Sequence, residues 1–184
     1  MLVIGDVAGH DIAAASAMAQ ARGVLRGIAQ TVAESPAGVL AALEGALGRL
    51  GTDNLITLVV AVLERRPDGS ALLRWSNAGH PPPLVLRAGG AVELLERPPD
   101  RLLGAGPAWR ADHEVVLGTG DVLLLHTDGL VERRGVPLDD GTAWLVEHLG
   151  GLAGRPLEPL CDGLVHGMAG QVGDDVAVLA VRVS

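Results

Sequence analysis

Hydrophobic and polar positions alternate between two periods along this chain. From Leu55 to Leu63 only Thr57 is polar, and several residues are β-branched. Such a run predicts a strand covered on both faces, because a strand open to water on one side would alternate. Pro67-Asp68-Gly69 then turns the chain into a partner strand ending near Ser76. Leu84 to Leu95 repeats the pattern around Gly89-Gly90. A third hairpin is expected to join Glu114–Leu117 with Val122–Leu125 through Gly118-Thr119-Gly120. Leu2 to Gly5 reads as the end of a buried strand followed by a turn at Asp6 to His10, and Val176 to Val183 reads as the last strand. Helical spacing marks four other segments. Asp11 caps a helix running towards Gln30, with Met18, Leu25 and Ile28 on one face. Ser35-Pro36 opens a second, with Val39, Leu43, Leu47 and Leu50 recurring at helical intervals. Two more span about Asp139–Leu149 and Pro156–Met168. Residues 97–109, interrupted by Pro and Gly, are expected to form a long loop. Hairpins interrupted by helix pairs predict an α+β domain in which antiparallel sheet is flanked by helices. Periodicity alone does not separate a two-layer arrangement from a deeper stack.

The 184 residues, 48% of them hydrophobic, suffice for one sizeable core, so a single domain over 1–184 is expected. Cys161 is the only cysteine, which excludes a disulfide framework and a cysteine-based zinc site. A formal net charge of -8 argues against nucleic acid as a partner, since that role needs clustered Lys and Arg. The pairs Arg65-Arg66 and Arg133-Arg134 read as solvated loop residues that could touch a phosphoprotein. No apolar run approaches the roughly 20 residues that cross a bilayer, and Met1 to Gly9 is too short and uncharged for a secretory signal. The expectation is a cytoplasmic protein with no membrane partner.

Three segments place carboxylates at turns or strand ends: Gly5-Asp6-Val7-Ala8-Gly9-His10, His126-Thr127-Asp128-Gly129 and Gly173-Asp174-Asp175. A fourth, Asn77-Ala78-Gly79-His80-Pro81-Pro82, carries no carboxylate and forms a Gly/Pro-rich corner. Any one of these is common turn chemistry. Carboxylates gathered from distant points in a sequence suit a hard divalent cation such as Mg²⁺ or Mn²⁺, which takes oxygen ligands and retains waters. Asp174 and Asp175, being adjacent, repel each other unless a cation or donor compensates. The chemistry this suggests is hydrolysis at a metal centre.

In this order the four motifs resemble those of the metal-dependent protein serine/threonine phosphatases, in the SpoIIE-type or RsbU-like branch of the type 2C superfamily. There the signatures read approximately G-D-V-x-G-H-G, N-A-G-H-x-P, Y-T-D-G-L-x-E and D-D-x-(T/A)-x-L. This chain departs at Asp11, where glycine is usual, and at His126, where tyrosine is usual. The resemblance covers almost the whole chain. It implies a four-layer α-β-β-α sandwich with two antiparallel sheets, and two Mn²⁺ or Mg²⁺ ions that acidify water and offset phosphoryl charge without a phosphoenzyme. By motif match, Asp6 bridges the ions, Val7 contributes its backbone carbonyl, and Asp128 and Asp174 are ligands. Asp6, Asp128 and Asp174 thus form the catalytic set, while Asp175 orients the loop or a water. The implied substrate is a phosphoserine or phosphothreonine on a regulatory protein, typically a STAS-type anti-sigma factor antagonist. In the family a strand pair bearing a G-G-D-x-x-D-like segment precedes the equivalent of Leu2–Asp6 and adds an acidic residue. The present sequence starts on the later strand, so an N-terminally truncated fold is expected, with an open edge at Leu2–Gly5 that favours a homodimer.

Of the histidines in these motifs, His10 carries two readings. His10 can act as a proton donor or simply order the helix start. His80 is expected to pin the Asn77–Pro83 corner, and His126 to be a satisfied buried histidine. None has a second His or Cys at zinc-ligand spacing. Two rival functions stay open: a catalytically impaired phosphoprotein- or sensor-binding regulatory module, and a hydrolase of small phosphate esters.

Overall fold

The computed structural model describes residues 1–31, 35–52, 54–98, 100–106, 108–132, 135–167 and 175–184. In chain order the elements are β1 (Leu2–Val7), α1 (Ile12–Thr31), α2 (Pro36–Arg49), β2 (Ile56–Arg65), β3 (Ala71–Ala78), β4 (Leu84–Leu86), β5 (Val92–Leu94), β6 (His113–Leu117), β7 (Val122–His126), α3 (Leu138–Gly151), α4 (Leu157–Gly167) and β8 (Val178–Arg182). The strands form two four-stranded antiparallel sheets, ordered β1-β2-β3-β6 and β5-β4-β7-β8. This is the α+β class with two sheets and four helices that the sequence leads one to expect. The chain divides into two compact units. One comprises Met1–Glu64, Leu72–His80 and Pro98–Val115; the other comprises Arg65–Ala71, Pro81–Arg97 and Val116–Ser184.

In the first unit α1 and α2 cover the β1-β2 part of the sheet. Their shared core holds Val39, Leu40, Leu43 and Leu47 of α2 against Val7, Ile56, Leu58 and Val60. Both helices start on caps visible in the sequence. Asp11 Oδ1 accepts the Ala14 amide at 2.8 Å, and Ser35 Oγ accepts the Gly38 amide at 3.1 Å. Each cap satisfies a backbone donor that has no partner inside the helix. The buried face of α1 differs from the expected one: it consists of Ala14, Ala17 and Ala21, while Met18 is 47% exposed. Small residues let the helix axis approach the sheet closely, and the larger Leu25 and Ile28 pack only partly. Leu50, expected on the buried face of α2, is the exposed C-cap.

In the second unit α3 and α4 cover β4 and β7, with Leu145, Leu149, Leu160 and Leu164 packed on Leu84, Leu86, Val122 and Leu124. Full burial of side chains of this size contributes about 1.5–3 kcal/mol each. Strand β7, buried along its whole length, lies between β4 and β8. The expected third hairpin is therefore not formed, since β6 pairs in one sheet and β7 in the other. The turn between them is shaped by Asp121, whose Oδ2 accepts the Gly118 amide at 2.9 Å and Arg87 Nη1 at 2.8 Å, while Oδ1 accepts the Ala88 amide at 2.8 Å. Those bonds tie the turn to the β4-β5 hairpin instead of to a strand partner. The expected loop at 97–109 lacks regular structure but is pinned. Leu103 and Ile56 exchange both backbone hydrogen bonds, at 3.1 and 2.9 Å, and Asp100 bridges to Ala78.

Candidate metal site

Asp6 lies inside β1 and not in the turn after it, because the ladder with β2 continues through Asp6 opposite Thr57 and Val7 opposite Ile56. Beyond the strand the Ala8 amide donates to the Leu55 carbonyl at 2.9 Å, so the first free turn residue is Gly9. Gly5 makes this close pairing feasible: a Cβ there would stand 2.4 Å from the Thr57 carbonyl oxygen. Asp6 Oδ1 accepts the amide of Val7 at 2.9 Å, which orients the carboxylate relative to its own backbone. Val7 is a buried strand end, and its place in the site needs only its carbonyl oxygen. His10 is exposed in the turn that follows.

The Asn77–His80 corner belongs to the same unit. Asn77 Nδ2 donates to the His80 carbonyl at 2.8 Å and Asn77 Oδ1 accepts the His80 amide at 2.7 Å, closing the corner on itself. His80 is buried, and its Nδ1 lies 2.9 Å from Thr57 Oγ1. Thr57 is the register partner of Asp6, so the corner braces the strand that carries the acid. His80 thus pins the corner as expected, and Thr57, the one polar break in an apolar strand, is the link.

In the second unit Asp128 opens a short 3-10 turn, Asp128–Leu130, directly after β7. Its Oδ1 accepts the Gly129 amide at 2.9 Å, the same local device that orients Asp6. Its carbonyl accepts the Val131 and Glu132 amides at 2.8 and 2.7 Å. Gly141 of α3 completes the support, since a Cβ there would stand 1.9 Å from the Val131 carbonyl oxygen and would push the turn away. Thr127 fastens this turn to the C-terminal segment. Its Oγ1 donates to the Asp175 carbonyl at 3.0 Å and accepts the Ala177 amide at 2.9 Å, and its own amide donates to the Ala177 carbonyl at 3.1 Å. In the sequence Thr127 stands only as part of a motif; a threonine between a strand and an Asp-Gly turn is the signal that marks it. Asp175 is exposed, and Asp174 lies outside the described residues.

His126 is buried, with Nδ1 2.9 Å from the Thr127 carbonyl oxygen. A carbonyl only accepts, so Nδ1 carries the proton. Burial pushes the imidazole pKa down, against the opposing pull of the Thr127 carbonyl and Asp128, and the ring is neutral at pH 7. It is a satisfied core histidine, as expected.

The structure thus supports Asp6 and Val7 within one unit and Asp128 beside residues 175–177 within the other. Among the described residues no group of three or more His, Cys, Asp or Glu side chains could hold a metal by itself. The donors named from the sequence are carboxylate and carbonyl oxygens throughout, a set that suits Mg²⁺ or Mn²⁺ and not a soft or borderline metal. No helix among the described residues is long and apolar enough to cross a membrane.

Comparison with known proteins places this chain in a family. The model of the family described as Stage II sporulation protein E (SpoIIE) matches residues 1–184. Among solved structures the chain is similar to the RsbU and RsbW domains of a Mycobacterium tuberculosis protein, with 32% identity and a TM-score of 0.86, over 98% of this chain and 50% of that one. It spans half the length of that relative. It is also similar to the SiaA-PP2C domain of Pseudomonas aeruginosa, with 21% identity and a TM-score of 0.83, over 99% of this chain and 74% of that one. A third is the catalytic domain of the serine/threonine protein phosphatase PstP in complex with two manganese ions, with 18% identity and a TM-score of 0.65, over 100% of this chain and 87% of that one. The last two likenesses show the fold alone. The match along the full length means that this chain belongs to the SpoIIE family.

Proposed function

We propose that this protein is a Mn²⁺- or Mg²⁺-dependent protein serine/threonine phosphatase acting on a phosphorylated regulatory protein. The observation that carries the reading is the pair of strand-end aspartates, Asp6 and Asp128, each with one carboxylate oxygen anchored by the next residue's amide. Anchoring of this kind preorganises a carboxylate before any ligand arrives, which is what a hard-cation site requires. Asp6, the Val7 carbonyl, Asp128 and Asp174 would hold the metal. Thr127 contributes by tying the residue after Asp174 to the residue before Asp128. Bound there, two such ions would supply charge compensation for the phosphoryl oxygens and lower the pKa of water. The chain's own part is to orient each carboxylate through the amide of the residue that follows it.

The proposed substrate is phosphoserine or phosphothreonine on a STAS-type anti-sigma factor antagonist, as the motif resemblance implies. The RsbU and RsbW domains of the mycobacterial relative support a partner of that pathway. Self-association is part of the same proposal. Strand β1 ends its sheet in the order of the described strands, and a cavity of about 390 Å³ opens beside it, lined by Met1, Val3, Met18, Leu25 and Leu58. Phosphate release from a phosphoserine peptide and from an aryl phosphate, with and without Mn²⁺, tests the function. Mn²⁺-dependent release from the peptide is expected. Release from the aryl phosphate alone would favour a small-ester hydrolase, and release from neither would leave a phosphoprotein-binding module.

A further inference from the structure

Arg110 is a buried cation far from the acids in sequence, with a side chain only 2% exposed. Its Nη2 donates to Glu44 Oε1 of α2 at 3.1 Å, and its Nη1 donates to the Arg101 carbonyl oxygen. Nε is buried and has no acceptor among the described residues. An arginine with an unmatched donor is poorly suited to raising stability, because an apolar side chain of similar volume would avoid the desolvation. What it provides is direction, a fixed link between a helix and one point of an irregular segment.

That segment reaches the candidate metal strand. Two residues beyond Arg101, Leu103 exchanges both backbone hydrogen bonds with Ile56, and Ile56 is the register partner of Val7. The neighbouring Leu55 carbonyl receives the Ala8 amide at 2.9 Å. Asp100 adds a second attachment, bridging to Ala78 while its Oδ2 accepts the Ala111 amide at 3.3 Å. All of these groups lie within the first compact unit. We propose that Arg110 is a positioning residue for Asp6 and Val7: clamped between Glu44 and the Arg101 carbonyl, it holds Leu103 against Ile56 and so sets the end of β1. The inference rests on the metal-site reading of Asp6 and Val7 and adds a residue outside the four motifs.

Two variants test it. Arg110→Met keeps the stem and removes every donor, and Glu44→Gln keeps the shape and an acceptor while removing the charge. Native-state hydrogen exchange in Arg110→Met is expected to quicken by about tenfold or more at the Ile56, Leu103 and Ala8 amides, with β7 and β8 unchanged. Glu44→Gln should do the same to a smaller degree. Calorimetry should show the Mn²⁺ Kd rising by about tenfold in Arg110→Met, with kcat at saturating Mn²⁺ within about twofold of wild type. Unchanged exchange at the three amides in a folded variant overturns the proposal. Equal quickening in β7 and β8 also overturns it, since that marks a general loss of stability. Should Arg110→Met fail to fold, Glu44→Gln decides by the same criteria. A wild-type chain that neither binds Mn²⁺ nor releases phosphate would sink the phosphatase reading, while the exchange pattern would still decide whether Arg110 holds the strand end.

Discussion

Asp128 offers the sharpest test at the scale of single residues, because its Oδ1 accepts the Gly129 amide at 2.9 Å. Asparagine keeps that acceptor and the shape and removes the charge. Asp128→Asn is therefore expected to abolish Mn²⁺-dependent phosphate release while leaving the thermal midpoint nearly unchanged. A variant with wild-type activity and Mn²⁺ affinity would exclude Asp128 as a ligand. A second comparison separates the adjacent acids. The Asp175 backbone is already engaged by Thr127, so its part is in the loop, and Asp174→Asn should weaken Mn²⁺ binding more than Asp175→Asn in a calorimetric titration. The opposite order would reassign the ligand. The candidate acids are named in the sequence by residue type and motif. Their supports are not: Thr57, Thr127 and Arg110 act through partners between 23 and 66 positions away, and no local pattern announces such a bond.

Elements were legible where their ends are set locally. Asp11 and Ser35 mark helix starts because a capping side chain bonds to an amide three residues on. The faces of α1 and the partner of β7 were misread, since both depend on what packs there. An alanine stripe wins the buried side of α1 by allowing close approach, and the Asp121 bonds divert the chain between β6 and β7 from one sheet to the other. Asp121 yields a prediction at this scale. Burial alone would raise its carboxyl pKa, but the bonds from Arg87 and from the Ala88 and Gly118 amides outweigh that and hold it below the ordinary 3.8. Such a group stabilises the fold fully above its unfolded pKa, and the contribution is lost as pH falls through the folded value. Asp121→Asn should cost about 1–2 kcal/mol in urea unfolding at pH 7, because Arg87 loses one of its two carboxylate partners and keeps Glu93. The gap between wild type and variant should narrow below about pH 4, as the wild-type carboxyl protonates. A gap that stays constant down to pH 2 would show that the charge on Asp121 is not what stabilises the turn.

For the whole molecule, the sheet order leaves β1 with one strand neighbour among the described residues and an apolar cavity alongside it. Such edges pair with other chains unless they are protected. The 184-residue chain is expected to form a dimer in light scattering at micromolar concentration, and a monomer at all concentrations would mean that this edge is covered. Fold class and most helix boundaries were legible in the sequence alone, because each is encoded in residue type and short spacing, and the four motifs carried the resemblance to the family. Only the tertiary structure decided that Asp6 sits within the strand, that β6 and β7 part company, and that Thr57, Thr127, Arg110 and Asp121 brace the acids and turns. Those outcomes depend on hydrogen-bond partners and packing surfaces brought together from distant segments, which the order of residues contains but does not display.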